Sequence, residues 1–558
     1  MNRPVAGILI LCTPLGLAAQ VTFTHDIAPI VARNCAPCHQ AAGAAPFPLL
    51  TYEDVKKRAP QIAAVTRSRY MPPWLPEHGF GDFADERRLS ADEIRIISDW
   101  VAEGAPEGAA AEVADGSAPS ATDGQAMGPP HLVIEAQSSF TVPASGPDVY
   151  WNFVFRPDID KTRYVKSIDI RPGDRRLVHH ANLLVDRMAT AHLQESAPGQ
   201  GFPGMDLAIM RSPFDPDGDF LFWKPGAAPH VEPDGFAWRL DPGNELVLNV
   251  HLHPIGKAEE VRPAITLYFT DKFTDKPQMR FPLLVQLEND DALNIPPGVR
   301  DFPVSDDFRL PMDADILAVY PHAHYLGKLL EAYATLPGGA RKWLVRIPDW
   351  DPNWQAVYYY REPVFLPKGS VISMRYHYDN SAANVRNPNH PPRRVKGGDQ
   401  ATDEMAHLWL QVLPRGAGDR RRELQEAVML HRLEKSPDDF VARMNLGAVM
   451  LSRLNPQGAV SMLEAAVRID PNRADARNML GLALSQTGRT REAAAEFLAA
   501  LKTRPDFLSA RLNLAAVELK MGALDEAIGN LEILAKAEPE NETIRQRLAD
   551  AVAARGKR

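Results

Sequence analysis

Thr162-Arg-Tyr-Val-Lys-Ser-Ile-Asp-Ile170 and Ala264-Ile-Thr-Leu-Tyr-Phe-Thr270 decide how the middle of this 558-residue chain is read. In both runs β-branched and aromatic residues partly alternate with polar ones, the period of a strand with one buried face. Clusters of Pro, Gly and Asp separate such runs between about residues 131 and 414, and the chain's 49 prolines point to turns and edge strands. A β-sandwich region follows. It is expected as two similar halves, 131–277 and 278–416, meeting near residues 274–282.

Outward from this region the pattern changes on both sides. Residues 21–108 have a largely helical pattern. There Ser90-Ala-Asp-Glu93 is a capping box opening a helix with Ile94, Ile97 and Val101 on one face and Trp100 flanking them. Residues 109–130 mix Ala, Gly, Ser and Pro with few apolar side chains, as a flexible linker does. On the far side, Pro437, Pro471, Pro505 and Pro539 stand 34 residues apart, with Leu446-Gly447, Leu480-Gly481 and Leu514-Ala515 at a constant offset behind them. That period and those positions match tetratricopeptide repeats, expected here as a small helical solenoid over residues 420–558 with a closing helix near residues 541–554.

A chain of this length exceeds one hydrophobic core, so three or more domains are expected. Apolar content of 45% and charged content of 24% are ordinary for globular protein, and a net charge of −9 argues against a nucleic-acid binder. Met1-Asn-Arg3, an apolar run over residues 5–17 and Ala18-Ala19-Gln20 together read as a signal peptide over residues 1–20, hence export to the periplasm. The run is too short to span a membrane, and Leu11 before Cys12 is too bulky for a typical lipoprotein signal. With Cys12 removed, Cys35 and Cys38 are the remaining cysteines, so no structural disulfide is expected.

Those two stand in Cys35-Ala-Pro-Cys38-His39, the spacing for covalent attachment of haem c with the histidine as an iron ligand. A thiol-redox pair would need a βαβ context, and a zinc site would need more cysteines. Met71, in Arg69-Tyr-Met71-Pro-Pro-Trp74, is the leading candidate for the opposite axial ligand, with His78 the alternative. This segment resembles small cytochromes c, which implies a cytochrome c-like domain over residues 21–108.

Two histidine sets remain. His179-His180 is answered by His251 in Leu246-Val-Leu-Asn-Val-His251-Leu-His253, and His322-Ala-His324 by Met405 in Asp403-Glu-Met405. Imidazole suits copper in both oxidation states, and a thioether favours Cu(I), so a two-copper redox enzyme is indicated. His322 and His324 share one face of a strand. Adjacent His179 and His180 would point oppositely on a regular strand, so binding one metal requires a strand end or a bulge. His253 shares a face with His251 and is a fallback ligand. His377 reads as an ordinary strand residue, and His390 has no assigned role.

The core resembles the copper type II, ascorbate-dependent monooxygenases, the family of the peptidylglycine α-hydroxylating and dopamine β-monooxygenases. Val178-His179-His180-Ala-Asn-Leu-Leu184, Leu246-Val-Leu-Asn-Val-His251, Val319-Tyr-Pro-His322-Ala-His324-Tyr-Leu-Gly-Lys328 and Gly397-Gly-Asp-Gln-Ala-Thr-Asp-Glu-Met405 stand in family order. The resemblance implies a double β-sandwich of two jelly-roll-like halves, each carrying one copper, facing across a solvent-filled cleft. It implies that His179, His180 and His251 bind the electron-supplying copper. His322, His324 and Met405 then bind the copper at which O2 is activated to hydroxylate a substrate C–H bond. The haem segment and the repeats lie outside this resemblance.

The departures bear on substrate. Where peptide-hydroxylating members carry a carboxylate-binding arginine, this chain has Tyr320, and after the methionine it has His407 and Trp409 in place of Asn and Tyr. The family disulfides are impossible here. A small organic substrate, flatter or more apolar than a peptide with a terminal carboxylate, is expected to face Tyr320, His407 and Trp409. Electrons would come from an ascorbate-like reductant or, through the fused haem, from a cytochrome or respiratory donor, the linker raising effective concentration. The repeats offer a concave surface to a protein partner. The rival reading is a non-catalytic copper and haem electron-transfer or copper-handling protein recruited to a complex by its repeats. A weaker third reading makes the core a scaffold with vestigial sites.

Overall fold

The computed structural model describes residues 20–40, 45–84, 86–109, 129–187, 189–205, 221–227, 229–232, 236–270, 283–398, 400, 402–537, 539 and 541–556. The expected signal peptide, apart from Gln20, and most of the expected linker lie outside these residues. The chain forms two compact units. One comprises Met1–Trp74, Glu86–Met210 and Leu221–Lys276, and the other Leu75–Asp85, Arg211–Phe220 and Pro277–Arg558.

In the first unit a single π-helical turn, Phe23–Ile27, runs into the helix Ala28–Asn34, and Tyr52–Lys56, Ala59–Arg67 and Ala91–Ala102 follow. Ser90 accepts from the Glu93 N–H and Glu93 from the Ser90 N–H, closing both halves of the expected capping box. Trp100 does not merely flank the apolar face of that helix but forms its buried centre. It is fully buried beside Ile97, three residues away on the same face, while Ile94 and Val101 are only partly buried. Its indole N–H donates to the Pro106 carbonyl at 2.9 Å, so the ring can sit inside without an unmet polar group. Phe23 and Thr24 also donate backbone N–H groups to Pro106 and Glu107, tying the end of this segment back to its start.

Among the described residues the rest of this unit holds two five-stranded antiparallel sheets and a two-stranded one, Phe140–Val142 with Glu259–Val261. The two strands quoted first are neighbours: Arg163–Arg171 pairs with Ala264–Phe269, flanked by Leu132–Glu135, His230–Val231 and Trp238–Leu240. The second sheet runs Phe202–Pro203, Val149–Phe155, Glu245–Leu252, Val178–Asp186, Phe222–Trp223. Val165, Ile168 and Leu267 from one sheet and Phe153, Leu183 and Leu248 from the other share a single core. Burying one face of each sheet against the other is what holds this half together.

The second unit carries two further four-stranded antiparallel sheets. One runs Leu283–Glu288, His407–Pro414, Ala314–His322, Tyr358–Leu366, and the other Phe302–Arg309, Val371–Tyr378, Gly327–Thr335, Arg341–Ile347. Residues 75–85, expected within the haem domain, pack in this unit instead. Phe83 is buried against Tyr358 and Tyr360, Glu77 N–H donates to the Arg346 carbonyl, and Ala84 N–H to the Tyr359 carbonyl. The reason is chemical match: Glu77 meets Arg346, Asp82 meets Arg361, and Phe80 lies edge-on to Trp343 at 4.8 Å.

Among the described residues seven helices form the repeats: Phe440–Ser452, Pro456–Ile469, Ala474–Gln486, Thr490–Thr503, Leu508–Met521, Leu524–Ala537 and the closing Glu542–Arg555. The Leu-Gly position marks the closest approach within a pair, since a Cβ on Gly447 or Gly481 would lie 2.6 Å from Leu463 or Phe497. The repeating prolines are bonded as well as spaced: Arg443, Arg477 and Arg511 donate to the carbonyls of Pro437, Pro471 and Pro505. One more helix, Arg421–Lys435, precedes the array and packs on the strand Leu283–Glu288. There His431 and Lys435 both reach buried Asp306, and Arg432 meets Glu288. Burial opposes ionisation of Asp306, but the bonds from His431 and Lys435 outweigh it and hold the carboxyl below its ordinary range.

Candidate metal centres

The first set is made by a register fault. Pairing between Glu245–Leu252 and Val178–Asp186 is regular as far as His251 opposite His180, then jumps to Leu252 opposite Val178, leaving His179 as the extra residue. Such a bulge turns the backbone of one residue, so two adjacent side chains can face the same way. Both adjacent imidazoles converge on His251. His179 Nδ1 lies 3.2 Å from His180 Nδ1 and 3.2 Å from His251 Nδ1, and the ligand atoms of all three lie within 4.8 Å of one another. His253 is not part of this cluster.

The surroundings of His251 fix which nitrogen that ring can offer. His251 Nε2 is 2.8 Å from Asp148 Oδ2, an acceptor, so Nε2 carries the proton and the Nδ1 lone pair faces His179. The hydrogen bond from His251 in turn lowers the Asp148 pKa against the opposing effect of burial. Tyr150 stacks on His251 at 4.3 Å and Phe222 on His180 at 5.4 Å, which restrains both rings. An all-nitrogen set of this kind fits copper.

The second set is tied the other way round. His322 Nδ1 is 2.8 Å from Gln355 Oε1, and His324 Nδ1 is 3.0 Å from the Asp403 carbonyl. Both acceptors call for an Nδ1–H, which leaves each Nε2 with a lone pair. Burial, then the nearby His324 and His407, lowers the His322 pKa well below the ordinary imidazole value. Burial also lowers that of His324, so both rings stay neutral and able to bind a metal. The loop to Met405 is clamped by Glu404, whose carboxylate accepts from the backbone N–H groups of His324, Leu326 and Met405. Burial pushes Glu404 up to about 8 in spite of these donors. Tyr378 donates its hydroxyl to the Met405 carbonyl at 2.7 Å.

Tyr320, His407 and Trp409 share the strand face that carries His322, because His322 pairs with His407 and Tyr320 with Trp409 across neighbouring strands. Tyr320 is buried and stacks on Trp409 at 5.2 Å, while its hydroxyl donates to Gln355 Oε1. It therefore helps orient the residue that orients His322. His407 Nε2 is 2.7 Å from Asp290 Oδ2, and its Nδ1 is buried with no hydrogen-bond partner among the described residues. His377 is a strand residue bonded to Asp301.

In the N-terminal segment Cys35 and Cys38 are free thiols. Burial pushes Cys35 up to about 12 and also raises Cys38, the latter against the pull of Arg87, Lys224 and Arg175. His39 Nδ1 is 3.0 Å from the Phe47 carbonyl, which leaves Nε2 as the atom able to bind iron. The two unpaired thiols and this oriented imidazole fit covalent haem. Met71 N–H donates to the Val65 carbonyl, which fixes the start of the Met-Pro-Pro loop.

The orienting residues Asp148, Gln355, Glu404 and Asp290 were not singled out from the sequence. Each is remote from the imidazole it serves or has no spacing of its own, so no local pattern marks it.

Known proteins resemble the chain at its C-terminal end. A tetratricopeptide repeat model matches residues 445–507 and 478–542. The peroxisomal targeting signal receptor of Saccharomyces cerevisiae is 33% identical over 86 residues, 15% of this chain and 14% of the receptor's length. Among solved structures, MamA is 21% identical over 24% of this chain and 80% of its own, with a TM-score of 0.24. YrrB, described as a TPR protein with an unusual peptide-binding site, is 21% identical over 25% and 72%, also at 0.24. Among the described residues no helix is long and apolar enough to cross a membrane. The chain is thus a multidomain protein with a β-rich middle and tetratricopeptide repeats at its C-terminal end.

Proposed function

We propose that the chain is an exported, periplasmic copper-dependent monooxygenase that hydroxylates a C–H bond of a small organic substrate with O2. The observation carrying this reading is the pair of imidazole sets: Nδ1 atoms of His179, His180 and His251 converge, with His251 held through Nε2 by Asp148, whereas His322 and His324 are held through Nδ1 and left with Nε2. The antiparallel sheets of the two halves support the reading of the β-rich region as a double sandwich. His179, His180 and His251 would hold one copper, and His322, His324 and Met405 the other. Bound copper would supply a one-electron couple at both sets and an O2-binding position at the thioether-containing one. The protein's own contribution is orientation. Gln355 and the Asp403 carbonyl fix the imidazoles, Glu404 fixes the Met405 loop, and the Tyr320–Trp409 stack forms a flat aromatic surface on the face of His322.

Residues 21–108 are read as a cytochrome c-like domain, with haem c on Cys35 and Cys38 and iron ligands His39 and Met71. Electrons would enter there from a cytochrome or respiratory donor, or from an ascorbate-like reductant. The repeats would recruit a protein partner, consistent with the likeness to part of a yeast targeting receptor.

The test is anaerobic reduction of the copper-loaded protein, addition of oxygen-18 gas with candidate flat, apolar substrates, and mass spectrometry of products. A hydroxylated product carrying the label is expected. Oxygen reduced only to peroxide, or coppers that cycle without consuming oxygen, would overturn the enzyme reading in favour of an electron-transfer or copper-handling protein. A peptide mass map lacking a haem adduct on residues 35–39, after expression with haem maturation, would overturn the haem assignment.

A further inference from the structure

The haem-attachment motif is packed directly on the first β half. Gly226, at φ +78°, lies so close to Cys38 that a Cβ there would collide with the Cys38 sulfur. Arg87, from the N-terminal segment, donates through Nη2 to the Gly226 carbonyl at 2.6 Å. Lys224, whose carbonyl accepts from Ala227 N–H to close the turn, and Arg175 add positive charge around Cys38. Four residues earlier, Phe222 lies face-on to the His180 ring with centroids 5.4 Å apart, and Phe222–Trp223 is hydrogen-bonded as a strand to Ala181 and Asn182. One short stretch of chain therefore touches a haem-attachment cysteine at one end and a ligand of the three-histidine set at the other. Fully extended, four residues reach at most ~14 Å. The contacts at its two ends join that stretch to the Cys38 sulfur and the His180 ring.

We infer that residues 222–226 are the electron-entry bridge of the three-histidine site, docked on the haem-attachment segment by Arg87 and by the close approach of Gly226 to Cys38. This rests on the copper and haem reading given above. One electron passes per event, ferrous haem becoming ferric as cupric ion at the three-histidine site becomes cuprous, and no atom or proton is transferred. Phe222 positions the His180 ring and fills the space beside it. Arg87 positions the bridge. A glycine at 226 is required both by its left-handed backbone and by the adjacent sulfur.

The experiment uses the full-length protein carrying haem and copper, without oxygen. A flash-excited flavin donates one electron to the haem. The decay of the ferrous α-band and the loss of the cupric EPR signal are then followed together. In the wild type the two changes are expected to coincide, with a first-order rate independent of protein concentration. Phe222→Leu and Arg87→Gln should each slow that rate by about tenfold or more, because small displacements of a positioned pair are costly. In Arg87→Gln, which touches no copper ligand, copper content, cupric EPR parameters and haem spectrum should stay as in the wild type. His180→Ala should leave the α-band undecayed. A rate that scales with protein concentration, or wild-type rates in both variants, would overturn the bridge. If both metals are loaded and ascorbate drives oxygen-18 incorporation while haem reoxidation is bimolecular, the bridge alone fails. If no copper binds the three histidines, the functional reading fails and the bridge with it.

Discussion

In the first β half His251 gives Nε2 to Asp148 and turns Nδ1 towards His179, whereas in the second His322 and His324 give Nδ1 to Gln355 and Asp403 and keep Nε2. The first set needs a bulge because its two leading residues are adjacent; the second needs none because its two are alternate. The difference teaches that ligand type is written in the strand but ligand atom is written elsewhere. An acceptor beyond the imidazole selects the nitrogen that faces the metal. The halves also differ in what they carry, since in the second the helix Arg421–Lys435 that precedes the repeats is fastened over buried Asp306.

The comparison is broken most sharply by removing ligands. Met405→Ala is expected to abolish turnover while copper stays in the three-histidine set, and His179→Ala to empty that set while the second keeps its metal. Metal analysis with circular dichroism checks both. Loss of both coppers from either variant would mean that the sets are not independent.

Acid should separate the halves next. A carboxyl whose folded pKa is depressed contributes stability that is present above its unfolded pKa and lost as pH falls through its folded value. Asp306 is such a group. The second half should therefore lose stability below about pH 4, the ordinary aspartate value, as seen in urea unfolding followed by tryptophan fluorescence. Asp306→Asn leaves Lys435 and His431 without their buried partner and is expected to cost about 3 kcal/mol at neutral pH while flattening that acid dependence. An unchanged pH profile would remove Asp306 as the fastening point.

Smaller effects should follow from the orienting residues. Asp148→Ala is expected to weaken copper binding at the first set, and Gln355→Ala at the second, by about 10–100-fold each. Competition with a chelator of known affinity measures this. A Gln355→Ala effect on the first set would contradict the separate tying of the two. The smallest effect belongs to His253→Ala, which should leave copper content unchanged, because His253 stands outside the cluster.

Much of the fold could be read from the sequence because its periods are local. The proline spacing of 34 residues and the Leu-Gly positions correspond to helix pairs that meet at Gly447 and Gly481. The alternating runs around Ile168 and Leu267 turn out to be paired strands. Trp100 was misplaced because its burial depends on a carbonyl six residues away that can accept its N–H. The destination of residues 75–85 was hidden for a similar reason, since nothing between Leu75 and Asp85 announces partners near Arg346 and Tyr360. The histidines could be seen, but Asp148 and Gln355 could not: they reach their rings from 103 and 33 residues away.

The excursion of residues 75–85 bears on how the second half can be isolated. Arg341–Ile347 and Tyr358–Leu366 are edge strands of its two four-stranded sheets, with no further strand paired beyond them among the described residues. Glu77, Asp82 and Ala84 occupy backbone groups along those borders, and Phe83 covers Tyr358 and Tyr360. Without that cover, each border would present unpaired N–H and C=O groups beside exposed aromatic rings, the template on which strands of separate molecules add to one another. A fragment starting at the linker should therefore self-associate, whereas the same fragment supplied with a peptide of residues 75–85 should remain dispersed.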